Sequence, residues 1–175
     1  INATGGGGSD TIIGGAGDDT ITGGAGADSL TGGAGVDSFV QGVSDSLVGV
    51  FADVAGGATI EATDTITFAN GLDIVTDFAA GAGGDQLGNI NGATLASSLL
   101  GENDTALTAD TTYFASGAYN ANTGVFTIAA DGAGADTLII QAADAGDSLN
   151  IATNASAILL QGVDSDDLVA GNFIA

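Results

Sequence analysis

The chain lacks several residue types that carry much of protein chemistry: its 175 residues include no Lys, Arg, His, Cys, Met or Trp. Without Cys there is no disulfide framework, and without Cys or His there is no ordinary zinc, copper, haem or iron–sulfur site. Serine–histidine and cysteine–histidine catalysis are excluded for the same reason. Proton chemistry is left to carboxylates, hydroxyls and the phenols of Tyr113 and Tyr119.

Positive charge is missing altogether, so 22 carboxylates give a formal net charge of −22. Nucleic acid is excluded as a partner because no side chain could neutralise its phosphates, and attraction to anionic lipid has no basis. Apart from Glu61 and Glu102 every acidic residue is Asp. Short carboxylates suit turns and metal-binding loops better than helix faces. Inorganic cations must therefore balance the charge.

Long hydrophobic runs are also lacking, so the sequence predicts no membrane insertion. The first four residues, INAT, have neither the basic region nor the apolar core of a signal peptide. They resemble the end of an earlier, degenerate repeat, and we expect the chain to be cut from a longer protein. A hydrophobic content of 45% argues against disorder, and the length allows one good core or two small ones.

Residues 5–40 consist of four nonapeptides in unbroken phase: GGGGSDTII, GGAGDDTIT, GGAGADSLT and GGAGVDSFV. Positions one, two and four are Gly, position six is Asp, and position eight is a large apolar residue, namely Ile12, Ile21, Leu30 or Phe39. A flexible Gly-rich linker has no reason to keep this phase. Asp as a simple turn former would explain the Asp but not the three glycines.

The spacing predicts a parallel roll. Glycines allow positive φ, so the backbone can turn back on itself, and the next three residues form a short strand with its apolar side chain inward. Two units make one turn, so units one and three stack on one edge and units two and four on the other. Each edge then carries Asp carboxylates and turn carbonyls, an oxygen-only cage that suits a hard cation. The predicted metal-site residues are Gly6, Gly8, Asp10, Gly15, Gly17, Asp19, Gly24, Gly26, Asp28, Gly33, Gly35 and Asp37.

The nonapeptide resembles the calcium-binding repeat of the RTX family. The resemblance implies that several Ca²⁺ ions are bound. The expected fold is all-β: an N-terminal, calcium-binding parallel β-roll continues into a mainly antiparallel β-sandwich or β-roll extension with at most one short helix. We expect residues 1–57 to form the roll and its cap, and residues 58–175 to form a β-rich domain with a terminal tail.

Residues 72–87, LDIVTDFAAGAGGDQL, resemble the motif D-x-x-x-D-F-x-x-G-x-D-x-L that follows the repeats in many RTX proteins. The resemblance places Asp73, Asp77 and Asp85 in a final calcium site. This sequence departs from the motif by an insertion of three residues, 82–84, ahead of the third Asp. The alternative is a strand with a polar face, followed by a Gly-rich turn.

The rest of the chain predicts antiparallel strands between residues 111 and 162. Residues 92–100, GATLASSLL, are the one plausible helix.

The last residues, QGVDSDDLVAGNFIA, resemble the C-terminal end of type I secretion substrates. Val163, Leu168, Phe173 and Ile174 take the apolar places, and Asn172 stands where Asp is common. An ordinary final strand is the alternative.

Together these resemblances imply a non-enzymatic structural module, located outside the cell on a bacterial surface. We expect it to belong to a surface-layer or extracellular matrix protein that meets the type I secretion machinery during export, folds on meeting calcium and self-associates into a lattice or filament. The alternative is the folding and secretion module of a larger extracellular enzyme, such as a serralysin-like protease or a lipase. Catalysis of glycoside chemistry by carboxylate pairs such as Asp18 and Asp19 is disfavoured, because no His or cation could tune them and no Trp could bind a sugar.

Overall fold

The computed structural model describes residues 1–42, 48–52, 59–68, 71–88, 97, 98, 101, 111–142 and 156–174. Their secondary structure is β apart from two 3₁₀ turns, Ser165–Asp167 and Ala170–Asn172. The described residues contain no helix with the length and hydropathy of a membrane span. The strands are β1 Asn2–Gly7, β2 Thr11–Ala16, β3 Thr20–Ala25, β4 Ser29–Ala34, β5 Ser38–Val40, β6 Val48–Ala52, β7 Thr65–Phe68, β8 Asp73–Val75, β9 Gln86–Gly88, β10 Ser97–Ser98, β11 Thr111–Asn120, β12 Val125–Ile128, β13 Asp136–Ala142 and β14 Ser156–Leu160.

The first five strands form the parallel roll that the repeat predicts. Strands β1, β3 and β5 belong to one sheet, whereas β2 and β4 belong to another. Ile12 pairs with Leu30 in one sheet, and Ile21 pairs with Phe39 in the other. Both pairs are 18 residues apart, so two nonapeptides make one turn.

Each full strand of the roll is six residues long, twice the length that the sequence predicts. Strand β2 includes the x-apolar-x residues and then the Gly-Gly-x of the next unit. Gly15 and Ala16 pair with Gly33 and Ala34 one turn later. With no Cβ at the glycines, successive turns lie close enough for this half of the unit to pair as well. The bend is confined to positions four to six.

Strands from farther along the chain extend the roll. Strand β8 pairs in parallel with β4, with Val75 opposite Leu30. Strand β9 pairs in parallel with β5, with Leu87 opposite Phe39. Beyond β9, Phe173 forms a parallel bridge with Leu87. The predicted boundary between residues 57 and 58 stays a prediction, and hydrogen-bonded sheet pairing crosses it.

One sheet of the roll continues into the antiparallel part of the molecule. Strand β8 pairs in parallel with β14, and from there the order β14-β13-β11-β12-β7-β6 is antiparallel throughout. The all-β prediction, with a parallel roll running into an antiparallel extension, is confirmed.

Two hydrophobic clusters lie on opposite faces of this long sheet. In β13, Leu138 and Ile140 belong to the first cluster and Ile139 to the second, as the two-residue period of a strand requires. The first cluster is Ile60, Ile66, Phe68, Leu72, Tyr113, Ala115, Phe126, Ile128, Leu138, Ile140, Ala157 and Leu159. The second is Ile21, Leu30, Phe39, Val75, Phe78, Leu87, Ile139, Ile158, Leu160, Val163, Leu168 and Phe173. The second cluster is therefore shared by the roll, the long sheet and the C-terminal tail.

The helix predicted over residues 92–100 is wrong at Ser97 and Ser98, which form strand β10. They pair in parallel with Tyr113 and Phe114 of β11, whereas β12 covers β11 only from Gly117 onward. A nine-residue helix is marginal by itself, and the uncovered edge of β11 offers backbone partners instead. Residues 92–96, 99 and 100 lie outside the described ranges.

The roll's core predicts a contrast between two large-to-small substitutions. Phe39 is fully buried and its ring centroid lies 6.1 Å from that of Phe78, so Phe39→Ala should lower the free energy of unfolding by about 3–5 kcal/mol. Ile13 is 65% exposed, so Ile13→Ala should change it by less than about 0.5 kcal/mol. Urea unfolding at saturating calcium measures both, and similar losses for the two variants would contradict the assigned core.

Candidate metal centre

Aspartates on one edge of the roll form a column linked by hydrogen bonds. The backbone N–H of Asp10 donates to Oδ1 of Asp28 at 2.8 Å. One turn later, the N–H of Asp28 donates to Oδ1 of Asp73 at 3.0 Å. Asp73 therefore takes the place of a position-six Asp, although 45 residues separate it from Asp28.

The opposite edge repeats the arrangement. The N–H of Asp19 donates to Oδ1 of Asp37 at 2.9 Å, and the N–H of Asp37 donates to Oδ1 of Asp85 at 2.8 Å. The backbone nitrogen of Ile1 contacts Oδ1 of Asp19 in the same way. Ile1 thus occupies the place of a position-six residue, and Asn2 pairs with Thr20 as that register requires.

Asp85 reaches its column across a loop that differs from the repeat. Residues 77–84 stand where a nonapeptide would place five residues, and the three additional residues match the insertion seen in the sequence. The N–H of Asp85 donates to the carbonyl of Ala79 at 2.8 Å, and that of Gly84 to the carbonyl of Gly81 at 3.1 Å. These bonds tighten the loop, so the insertion does not displace Asp85.

Asp77 lies apart from both columns. Its Oδ1 accepts from the N–H of Gly32 at 2.9 Å, and its Oδ2 accepts from the N–H of Gly33 at 2.8 Å. Its carboxylate therefore covers the Gly-Gly amides of the fourth unit, where the next turn has no strand to pair with them. Of the three acidic residues in the downstream motif, the structure brings two to the columns, one to each edge.

Burial makes the columns electrostatically demanding. Asp28 in one column is 2% exposed and Asp37 in the other is 1% exposed. Within each column, neighbouring carboxylates belong to adjacent strands, which lie only about 4.8 Å apart. At an effective dielectric constant of about 20, two unit charges at that spacing repel by about 3 kcal/mol. The pKa of Asp37 is raised by burial and then by the charges of Asp77 and Asp18. Burial also raises the pKa of Asp85, although amide hydrogen bonds oppose the rise.

The second carboxylate oxygen of each repeat Asp has no donor. Within the described ranges, Oδ2 is shielded from solvent and accepts no hydrogen bond in Asp10, Asp19, Asp28 and Asp37. A buried carboxylate oxygen without a donor is costly unless a cation offsets it. The chain has no cationic side chain to serve, so an inorganic cation is the partner that the columns can accept.

Glycine at position one leaves room beside these oxygens. A Cβ placed on Gly14 would lie 2.5 Å from Oδ2 of Asp19 and 2.5 Å from the carbonyl oxygen of Gly32. A Cβ on Gly5 would likewise lie 2.6 Å from Oδ2 of Asp10 and 2.5 Å from the carbonyl oxygen of Gly23. The sequence reasoning missed position one as part of the site, although its unbroken Gly was visible in all four units.

The glycines at position two, near the end of each strand, and at position four, in the bend, take backbone conformations that favour glycine. Gly24 has φ +100° and Gly26 has φ +141°, values that side chains with a Cβ rarely adopt. A Cβ on Gly26 would also collide with the carbonyl oxygen of Gly8 in the preceding turn. Positive φ is shared by all eight glycines predicted for the site: Gly6, Gly8, Gly15, Gly17, Gly24, Gly26, Gly33 and Gly35.

The donors available to a cation are oxygens of two kinds. Among the described residues, no group of three or more acidic side chains is close enough to hold a metal by itself. Carbonyl oxygens of the glycine bends must therefore supplement the Asp oxygens. Ca²⁺ takes six to eight such ligands in flexible geometry, including carboxylates and backbone carbonyls, so the residues present fit this ion.

Comparison with known proteins agrees with the repeat assignment. The family model described as the RTX calcium-binding nonapeptide repeat matches residues 4–39 in four copies. Such repeats bind Ca²⁺, several ions per repeat region, and are typical of secreted proteins. No curated protein sequence matches the chain.

A solved structure also resembles the chain: the solution structure of the AlgE6R3 subunit from the Azotobacter vinelandii mannuronan C5-epimerase. The match covers 95% of this chain and 78% of that one, with 18% sequence identity and a TM-score of 0.44.

The space at position one can be tested with two Gly→Ala variants. Gly14→Ala places a Cβ against Asp19 and the next turn, so it should cost about 1–3 kcal/mol through overpacking and raise the calcium concentration needed for folding. Gly7→Ala is the matched control, because a Cβ there meets nothing within 4 Å and the other three units carry Ala at this position. Circular dichroism during calcium titration measures both; equal calcium midpoints for the two variants would contradict a role of position one in the site.

Proposed function

We propose that the chain is a calcium-dependent folding module of a secreted bacterial protein. The two columns supply the ligands: Asp10, Asp28 and Asp73 on one edge, Asp19, Asp37 and Asp85 on the other, each completed by glycine carbonyls. The observation that carries the proposal is the row of buried Oδ2 atoms without donors in a chain that has no cationic side chain. A ligand role for Asp77 stays a prediction.

The proposed mechanism is linkage between metal binding and folding. At the low free calcium of the cell interior, the stacked carboxylates repel one another and the roll stays unfolded, which suits passage through a type I export channel. Outside the cell, calcium binds only the folded roll, so the binding free energy becomes folding free energy. The negative charge thereby delays folding until export is complete.

For the parent protein, we propose a structural role in a surface layer or extracellular matrix, with no catalysis in this chain. Self-association is supported by the formal net charge of −22 without any cationic side chain, because calcium can bridge the acidic surfaces of neighbouring molecules. The alternative, a folding module of an extracellular enzyme, needs no such association.

Calcium-dependent folding predicts a specific effect of column charges. Asp28→Asn keeps the Oδ1 acceptor but removes a ligand charge, so it should raise the calcium midpoint of folding about tenfold, the equivalent of a 1.4 kcal/mol loss. Asp167→Asn removes the same charge at an exposed residue of a 3₁₀ turn and should leave the midpoint unchanged.

Circular dichroism with calcium, with magnesium and with sodium chloride at matched ionic strength separates specific binding from screening. The proposal fails if the wild-type chain has the same β content in chelator as in calcium. It also fails if sodium chloride alone restores the fold.

Assembly through calcium bridges predicts that the folded wild-type chain associates in calcium at low ionic strength and disperses when sodium chloride screens its acidic surfaces. Electron microscopy and analytical ultracentrifugation in calcium should show sheets or filaments at low ionic strength and monomers at high ionic strength. Circular dichroism checks that the chain is folded under both conditions. A folded wild-type chain that stays monomeric in calcium would favour the enzyme-module alternative.

A further inference from the structure

We infer that Asn172 is a positioning residue that couples docking of the C-terminal tail to the last aspartate of one column; this inference rests on the proposed function. Asn172 is fully buried. Its Nδ2 donates to the carbonyl of Asp85 at 2.7 Å and to that of Gly81 at 3.2 Å. Its Oδ1 accepts from the N–H of Gly81 at 3.1 Å and from that of Val169 at 2.9 Å. One amide therefore joins the tail to the loop that precedes Asp85.

The loop needs this support because it lacks the geometry of the repeat. Residues 77–84 replace the Gly-rich bend, and within the loop Oδ2 of Asp85 accepts from the N–H of Ala79 at 2.9 Å. On the other side of the loop, the side-chain amide of Asn172 donates to the carbonyl of Gly81 and accepts from its N–H. The other carboxylate oxygen of Asp85 accepts from Asp37. Asn172 is thus linked to the column through one residue, Asp85.

The rest of the tail packs on the same end of the roll. Val163, Leu168 and Phe173 are 6%, 7% and 3% exposed and belong to the cluster that includes Phe39 and Leu87. The N–H of Ile174 donates to the carbonyl of Leu87 at 2.9 Å. Docking therefore covers the apolar end of the roll and buries these three apolar side chains of the tail. By linkage, calcium at the column and the docked tail stabilise each other.

The chemistry of the site requires an amide rather than a carboxylate. Both acceptors of Nδ2 are carbonyl oxygens, those of Asp85 and Gly81. Asp at position 172 would set a carboxylate against these oxygens and beside the charge of Asp85. Asn172→Asp should therefore weaken the coupling at least as much as Asn172→Ala.

The test compares Asn172→Ala and Asn172→Asp with a control, Asn122→Ala, whose side chain is exposed. Calcium titration by circular dichroism gives the folding midpoint. Digestion with carboxypeptidase at saturating calcium, followed by mass spectrometry of the loss of Ile174 and Phe173, reports whether the tail is docked once the β fold has formed. Each Asn172 variant should raise the midpoint and speed tail release roughly tenfold, because buried hydrogen bonds are lost; Asn122→Ala should do neither.

Three results would count against the inference in different ways. A calcium-responsive wild type with unchanged midpoint and tail release in Asn172→Ala overturns the inference and leaves the proposed function standing. A shifted midpoint with a fully protected tail reduces Asn172 to a general packing residue and also overturns it. A wild-type chain that does not respond to calcium overturns the proposed function together with this inference.

Discussion

The hydrogen bond from each position-six amide to the Asp carboxylate one turn later is the interaction on which the molecule depends. It is repeated along both edges, from Asp10 to Asp28 on one and from Asp19 to Asp37 on the other. In Asp28 and Asp37 this bond uses only Oδ1, and Oδ2 of the same carboxylate is buried without a donor. The bond that stacks the turns therefore also prepares each carboxylate to bind a cation, and the stack is costly until that cation arrives.

This constraint reaches beyond the roll, because the roll shares its core. Val75 and Leu87, on strands that return from the later part of the chain, lie in one cluster with Ile139 of the antiparallel sheet and Phe173 of the tail. If the aspartates cannot stack and the roll does not form, this cluster loses the packing of the roll residues Ile21, Leu30 and Phe39. We therefore expect calcium binding to stabilise the antiparallel sheet and the tail as well as the roll.

Sequence reasoning succeeded where a short period determined the environment. The position-eight side chains of Ile21, Leu30 and Phe39 are buried. The 18-residue turn is found in both sheets. It failed at Ser97–Ser98, where the uncovered edge of β11 prevailed over local helix propensity. It also underestimated the length of the roll strands, because the Gly-Gly-x half of each unit becomes part of a strand only by pairing with the neighbouring turn.

The sequence by itself determined the repeat, its period, the aspartate edges and the need for inorganic cations, since these follow from local backbone rules and from a charge that no side chain offsets. Only the tertiary structure decided which distant residues complete the columns. Asp73 and Asp85 occupy column positions, whereas Asp77 binds the amides of Gly32 and Gly33. Sequence spacing could not separate these three carboxylates, because their roles depend on strand pairing across 45 or more residues and on a loop held by the tail.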